Sequence, residues 1–198
     1  MLNLPESTEV RQRINKTAIY RKFSLDNAQQ AKFDEDISTL IIVNEVSSQT
    51  IKLSGSDENS FFVLEVLLKH KDYDKKNIER LSKLIDQNLL LVLRYEDSAR
   101  LAVFKTVLHE TEWKSLDELS FTLNGLNFDS MWENVIRTVG GIEQQAETTL
   151  EEQINLNIEK SKVQKQIDVL KKKMKNEKQL NRQLEIKSEI KKLEGMIK

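Results

Sequence analysis

The sequence predicts an α+β domain, a mixed β-sheet with flanking helices, followed by a C-terminal helical arm. Before the Gly140-Gly141 pair, apolar runs with the length of strands alternate with helical patterns. After this pair there is no proline, the only glycine is Gly195, and Glu, Gln, Lys, Leu and Ile dominate, which favours a helix. We therefore predict a globular domain over residues 1–140 and an arm over residues 141–198.

The composition limits the classes of protein to which the chain can belong. Its 198 residues are 38% hydrophobic and 32% charged, which suits one modest domain with a solvated extension. The absence of cysteine excludes disulfides, thiolate zinc sites and a cysteine nucleophile. No stretch approaches the roughly 20 apolar residues of a membrane span, so we expect a cytoplasmic protein with no membrane partner. The net charge of −1 is not that of a dedicated DNA-binding domain.

The N-terminal region predicts two helices. Val10, Ile14 and Ala18 recur at helical spacing and predict a helix from Thr8 to Phe23. Asp26 is placed to cap a second helix that runs through Phe33.

The rest of the domain predicts strands that alternate with helices. Runs of β-branched residues or leucine favour buried strands. The segment Ser54–Asp57 favours a turn. A helix capped by Asp129 and running to Val139 ends the domain. The predicted strands are Leu40–Val43, Thr50–Leu53, Phe61–Leu68, Leu89–Tyr95 and Arg100–Leu108, with a helix over Lys75–Ile85 and an irregular or short-helical segment over Leu116–Phe128.

The arm has the spacing of a coiled-coil seam in two separate stretches. Val163 to Met174 and Ile186 to Ile197 each carry apolar residues at 4-3-4 spacing, but the two stretches do not share one register. Either the arm is a single helix of about 84 Å, or it folds back near Asn176 as a hairpin, which we favour. The residues predicted to bind a partner are Leu156, Val163, Ile167, Leu170, Met174, Leu180, Leu184, Ile186, Ile190, Leu193 and Ile197. Packing of the arm against its own domain alone remains the alternative.

The arm also contains a lysine-rich stretch over residues 160–178. Such a stretch usually forms a solvated face, but it also permits contact with nucleic-acid phosphates. For that alternative the candidate residues are Lys165, Lys171, Lys172, Lys173 and Lys175.

The order of helices and strands resembles a degenerate restriction-nuclease core. That core needs a strand acid and then Glu-x-Lys on the next strand, where the carboxylates hold Mg²⁺. Here the weak candidates are Asp57, Glu65 and Lys69, because Leu67 occupies the lysine position of the motif. Mg²⁺ would be a cofactor only under this nuclease alternative; otherwise we predict no cofactor and no metal site.

Other polar residues favour structural roles. His70, Asp72 and Asp74 follow a strand, where Asp74 suits a helix cap better than a metal ligand. No Gly-rich phosphate loop, G-x-S-x-G or H-E-x-x-H motif is present. The sequence therefore favours a protein that is not an enzyme, without deciding the question.

Five segments together resemble a bacterial family of unknown function, DUF4391. They are Leu4–Val10, Val63–Leu68, Thr111–Trp113, Gly125–Asn134 and Glu177–Glu185. The resemblance implies no reaction and no catalytic residues. It does imply genes placed beside helicases and DNA methyltransferases in restriction-like and antiphage loci. We therefore expect an accessory subunit that binds a helicase or methyltransferase subunit, or a second copy of itself, with any DNA contact indirect.

Overall fold

The computed structural model describes residues 2–51, 60–145 and 148–196. It divides into two compact units, Met1–Glu143 and Gln144–Lys198. The first unit contains a mixed β-sheet with helices, and the second contains two helices. The fold class predicted from the sequence is confirmed.

The first unit contains seven strands and four α-helices within its described residues. The strands are β1 (Glu9–Arg13), β2 (Ile37–Val46), β3 (Phe61–Leu68), β4 (Asn88–Tyr95), β5 (Ser98–Lys105), β6 (Val107–Glu110) and β7 (Lys114–Ser115). The helices are α1 (Lys16–Lys22), α2 (Asn27–Asp36), α3 (Lys75–Leu81) and α4 (Phe128–Gly140).

The sheet has the order β1-β2-β3-β4-β5-β6, and β7 pairs with β5. Only the β3–β4 pair is parallel among these pairings. A parallel pair needs a crossover connection, and α3 lies within it. The long apolar runs of β3 and β4 thus form the centre of the sheet, as buried strands do.

Helices pack on both faces of this sheet. On one face, Leu64 and Val66 of β3 share a core cluster with Phe33 of α2 and Ile78 of α3. On the other face, α4 packs against β5 and β6, and Trp132 of α4 lies 5.4 Å from the ring of Phe61. Because side chains alternate along a strand, β3 supplies residues to both layers.

The predicted helix over Thr8–Phe23 is wrong in its first half. Glu9–Arg13 is a strand that pairs antiparallel with β2, and α1 begins at Lys16 with Asn15 as its cap. The strand lies at the edge of the sheet and is mostly exposed, so it lacks the apolar alternation that marks a half-buried strand.

Other boundaries also differ from those predicted, and β2 is longer at both ends, at Ile37–Val46 instead of Leu40–Val43. The helix α3 ends at Leu81 instead of Ile85. The predicted strand over Arg100–Leu108 breaks at Thr106, whose φ is +63°, and so becomes the hairpin of β5 and β6. The cap of α4 is Asn127 instead of Asp129, because the Asn127 side chain accepts a hydrogen bond from the Ser130 amide.

The predicted strand over Thr50–Leu53 is not observed in its described part. Thr50 and Ile51 lie in a turn and a bend that follow β2. Lys52, Leu53 and the predicted turn Ser54–Asp57 lie outside the described residues.

The second unit is a helical hairpin, as favoured from the sequence. Its helices are α5 (Leu150–Asn176) and α6 (Leu180–Met196), separated by three residues and in contact with each other. Lys171 and Glu194 form an ion pair across the hairpin at 3.0 Å. With 27 and 17 residues, α5 is about 40 Å long and α6 about 26 Å. No described helix in either unit has both the length and the apolar character needed to cross a membrane.

Candidate functional site

An open cleft of about 530 Å³ lies on the sheet in the first unit. Its floor comes from β2, β3 and β4, and its wall from β1 and the preceding segment. The lining residues are Leu2, Asn3, Leu4, Glu9, Arg11, Ile41, Val43, Asn44, Glu65, Val92 and Arg94. The cleft therefore combines an apolar floor with charged groups of both signs.

Glu65, the strand carboxylate singled out in the sequence, lies in this cleft. Its side chain is 14% exposed and accepts a hydrogen bond from Arg94 Nη1 at 3.2 Å. Arg94 lies on β4, where it is paired in register with Leu67. A carboxylate at the centre of a sheet needs a compensating charge, and Arg94 supplies that charge.

Of the three nuclease candidates, Glu65 and Lys69 lie within the described residues, and only Glu65 of these two lines the cleft. Lys69 follows the end of β3 and is exposed. Burial disfavours ionisation of Asp34, but hydrogen bonds from Lys16 and Tyr20, helped by the nearby charge of Lys69, hold the pKa of Asp34 below its usual range. Asp34 is paired with Lys16 at 2.7 Å, and Asp57 lies outside the described residues. Within the described parts of the chain, no group of three or more His, Asp or Glu side chains is arranged to hold a metal ion.

The loop that follows β3 forms a structural network around Asp36. This carboxylate is buried and accepts hydrogen bonds from Asn77 Nδ2 at 2.7 Å and from the Asp74 amide at 3.0 Å. His70 Nε2 lies 3.5 Å from the same carboxylate. Asp74 caps α3 and pairs with Lys32 at 2.8 Å. His70 and Asp74 therefore hold α3 against the end of α2, consistent with the cap predicted for Asp74.

A second polar cluster surrounds Glu110, which the sequence analysis did not single out. Tyr73 and Lys75 hydrogen-bond to its nearly buried carboxylate, and Arg100 lies 3.9 Å away. Burial opposes ionisation, but Lys75 and Tyr73 outweigh it and keep the pKa of Glu110 below its usual range. These residues come from three segments that are distant in sequence, and no local pattern links them.

His109 lies where α4 packs against β6. Its Nε2 atom is buried and has no hydrogen-bond partner among the described residues, and burial lowers the pKa of the imidazole. A Cβ atom at Gly140 would lie 3.1 Å from His109 Nδ1, a tighter contact than most Cβ atoms make. Gly141 ends α4 with a φ of +60°, the left-handed conformation common at helix C-termini.

The hairpin exposes large apolar side chains on both of its helices. Leu156 and Val169 of α5 are each 53% exposed, and Leu180 and Leu184 of α6 are 68% and 57% exposed. A shallow groove of about 420 Å³ runs beside Val169 and is lined by Lys165, Gln166, Val169, Leu170, Glu189 and Leu193.

The predicted partner-binding residues divide into three groups. Leu156, Leu180 and Leu184 are exposed, whereas Val163, Leu170, Met174, Ile186 and Leu193 are partly buried. Ile167 and Ile190 are buried in the single chain. They occupy seam positions of two helices that contact each other. Ile197 lies outside the described residues.

The lysines considered for nucleic-acid contact all lie on α5 and are exposed. They are Lys165, Lys171, Lys172, Lys173 and Lys175. Lys171 is paired with Glu194. Exposed lysines are expected both on a solvated face and on a phosphate-binding face, so their exposure is consistent with either role.

One family model matches the chain over residues 2–197, and its description is Domain of unknown function (DUF4391). The match confirms the resemblance seen in the sequence. No curated protein and no solved structure matches the chain.

Proposed function

We propose that this chain, which belongs to the DUF4391 family, is a non-catalytic accessory subunit of a bacterial restriction-like or antiphage complex. In this proposal the hairpin of α5 and α6 packs against a protein partner, and the α+β domain supplies a second contact. The partner is a helicase or DNA methyltransferase subunit, or a second copy of the chain.

The distribution of exposed apolar side chains carries the proposal. Among the described residues, the large hydrophobic side chains that remain exposed are Leu126, Leu156, Val169, Leu180, Leu184 and Met196. Five of these six lie on α5 or α6. Full burial of a leucine side chain contributes roughly 1.5–3 kcal/mol, so contact with a partner at several of these positions would stabilise a complex appreciably.

The polar cleft supports the non-catalytic part of the proposal. Glu65 is neutralised by Arg94 at 3.2 Å, whereas the nuclease chemistry considered above needs a carboxylate that is free for a metal and a nearby lysine. Lys69, the lysine candidate for that role, follows the end of β3 and is not among the described residues that line the cleft. Among the described residues, the cleft thus has an acid at the expected strand but no lysine in its lining.

The choice of a helicase or DNA methyltransferase as partner comes from the family resemblance. The family is one of unknown function, and the placement of its genes beside helicase and methyltransferase genes is what the resemblance implies. These enzymes are therefore the first partners to test.

The test is co-purification of the chain with a helicase or DNA methyltransferase of the kind that the resemblance implies, followed by size-exclusion chromatography with light scattering. The Leu180→Asp, Leu184→Asp double variant should lose co-elution, because it places two charges in the apolar contact. Leu126→Asp is the matched control, since Leu126 is 91% exposed but lies outside the hairpin. Binding that survives the double variant, or a wild-type chain that binds neither enzyme, would contradict the proposal.

A second candidate function, nucleic-acid binding, is favoured by one observation, the exposure of the α5 lysines. Binding through phosphates falls steeply with salt. A Lys172→Glu, Lys175→Glu variant should then bind DNA more weakly and show a shallower salt dependence. Unchanged binding in this variant would remove the candidate.

A further inference from the structure

Basic side chains are concentrated at the turn end of the helical hairpin. Residues 171–182, here called the hairpin tip, comprise the end of α5, the connecting residues and the start of α6. They contain six Lys and Arg side chains and a single acid, which gives a net charge of +5. The six basic residues, all exposed, are Lys171, Lys172, Lys173, Lys175, Lys178 and Arg182.

The single acid of the tip, Glu177, is engaged by the backbone of the turn. One of its carboxylate oxygens accepts hydrogen bonds from the Lys178 and Gln179 amides, at 2.8 and 3.0 Å. Lys171 is paired with Glu194, but none of the other basic side chains of the tip forms an ion pair among the described residues. Five positive charges therefore lie close together without an acidic partner.

The charges of the hairpin are separated by sign along α5. Surfaces that only keep a protein soluble carry both signs interspersed. Here the first twelve residues of α5, 150–161, contain three Glu and one Lys, whereas the tip at the other end has the net charge of +5. A cluster of one sign creates a local potential that attracts partners of the opposite sign.

From this separation we infer that the hairpin tip binds the phosphate backbone of a nucleic-acid duplex. Duplex DNA carries one negative charge for about every 1.7 Å of its axis, which matches a compact group of cations. The unit Gln144–Lys198 contains no Phe, Tyr or Trp, so it lacks the side chains on which unpaired bases stack. The contact is therefore with phosphates, which carry no direct sequence information.

This contact goes beyond the protein partner proposed above. It rests on the second candidate function, nucleic-acid binding, and locates the site. The tip adds Lys178 and Arg182, in the turn and on α6, to the α5 lysines on which that candidate depends.

The salt dependence of binding tests the contact, measured on the full chain by fluorescence anisotropy with a short DNA duplex of arbitrary sequence. The Lys178→Gln, Arg182→Gln variant removes two phosphate contacts. The slope of log K against log salt concentration should therefore be shallower by about 1.8. Between about 50 and 200 mM salt, the wild type should lose about twelvefold more affinity than this variant.

Two further variants are the controls. Lys191→Gln, Lys192→Gln removes the same charge from exposed positions on α6 that begin nine positions beyond Arg182, about 14 Å along the helix; it should keep the wild-type slope. Lys178→Arg, Arg182→Lys keeps both charges and should also bind as the wild type does. A wild-type chain that does not bind the duplex, or equal slopes in the tip variant and the Lys191, Lys192 control, would overturn the inference.

Polyglutamate, added as a competitor, tests for an acidic protein as the occupant of the tip. It should displace the duplex poorly when compared with unlabelled duplex at equal charge concentration. Displacement as effective as that by the duplex would refute a nucleic-acid contact and favour an acidic protein.

The inference and the proposed functions fail in distinguishable ways. If Lys172→Glu, Lys175→Glu weakens duplex binding but Lys178→Gln, Arg182→Gln keeps the wild-type slope, the tip is refuted and the contact of the α5 lysines stands. If the duplex does not bind but a helicase or DNA methyltransferase still co-elutes with the chain, the nucleic-acid contact is refuted and the accessory function stands.

Discussion

Replacement of Ile167 by alanine tests whether the hairpin is a preformed structure. Ile167 lies on α5 and is fully buried in the single chain. Removing a buried isoleucine side chain down to alanine typically costs about 2–5 kcal/mol, which includes the cavity left behind. Leu156→Ala, on the same helix but at a site that is 53% exposed, should change stability by no more than about 0.5 kcal/mol.

Hydrogen exchange of the α5 amides is the suitable assay for this comparison. The chain has two compact units, and a single unfolding curve need not separate them. At about 1.4 kcal/mol per tenfold change, the Ile167→Ala loss corresponds to exchange that is faster by a factor of about 30 to a few thousand. Leu156→Ala should change it by a factor of about two.

The outcome decides whether the hairpin is formed before it would meet the proposed partner. If Ile167→Ala and Leu156→Ala change exchange equally and slightly, the buried seam does not stabilise the hairpin, and the reasoning from its packing is refuted. If the large difference is observed, the hairpin is formed before binding. Association then resembles docking of a rigid surface, which is the common case for preorganised interfaces.

Three further predictions concern the first unit. Asp36→Ala should cost about 1–3 kcal/mol in urea unfolding, because it leaves buried Asn77 without its acceptor. Glu110 has a folded pKa below its ordinary value of 4.5. Its contribution to stability is therefore full above that value and is lost as the pH falls through the folded pKa. Glu110→Gln should flatten the acid limb of stability measured between about pH 5 and about pH 2. His109 has a folded pKa below 6.5 because of burial, so the unfolded chain takes up the proton first and stability falls as pH drops below 6.5. His109→Gln should reduce this loss between pH 7 and about pH 5, and an unchanged slope in either variant would contradict the corresponding assignment.

The elements predicted correctly are those with a strong local signal. Phe61–Leu68 is a strand with the predicted bounds, because a short continuous apolar run between polar segments is typical of a buried strand. Asp26 caps α2 with a complete capping box to Gln29, a pattern readable within four residues. The hairpin followed from Lys175–Lys178, a break of charged and polar residues between two apolar stretches.

The parts that the sequence could not supply depend on long-range pairing. The spacing of Val10 and Ile14 resembles a helix, but β1 forms because β2 offers a free edge, and that edge is not visible locally. Arg94 reaches Glu65 across two neighbouring strands that are 29 positions apart in the chain. The Glu110 cluster depends in the same way on the approach of the α3 start to β6, which only the sheet order determines.

The Glu65–Arg94 pair bears on the choice between the nuclease-like and accessory readings. An acidic residue on a central strand beside a parallel crossover is consistent with a nuclease-like protein and with an accessory protein. Its presence alone does not distinguish these two functions. Arg94 is more informative, because its guanidinium lies 3.2 Å from the Glu65 carboxylate. It already compensates the negative charge that a bound metal ion would need. A metal ion at Glu65 would have to displace Arg94, and the guanidinium would then be left with reduced compensation in a partly buried cleft. The same pair satisfies what a buried carboxylate in a stable sheet requires, so Glu65 has a structural explanation within the domain that needs no metal ion.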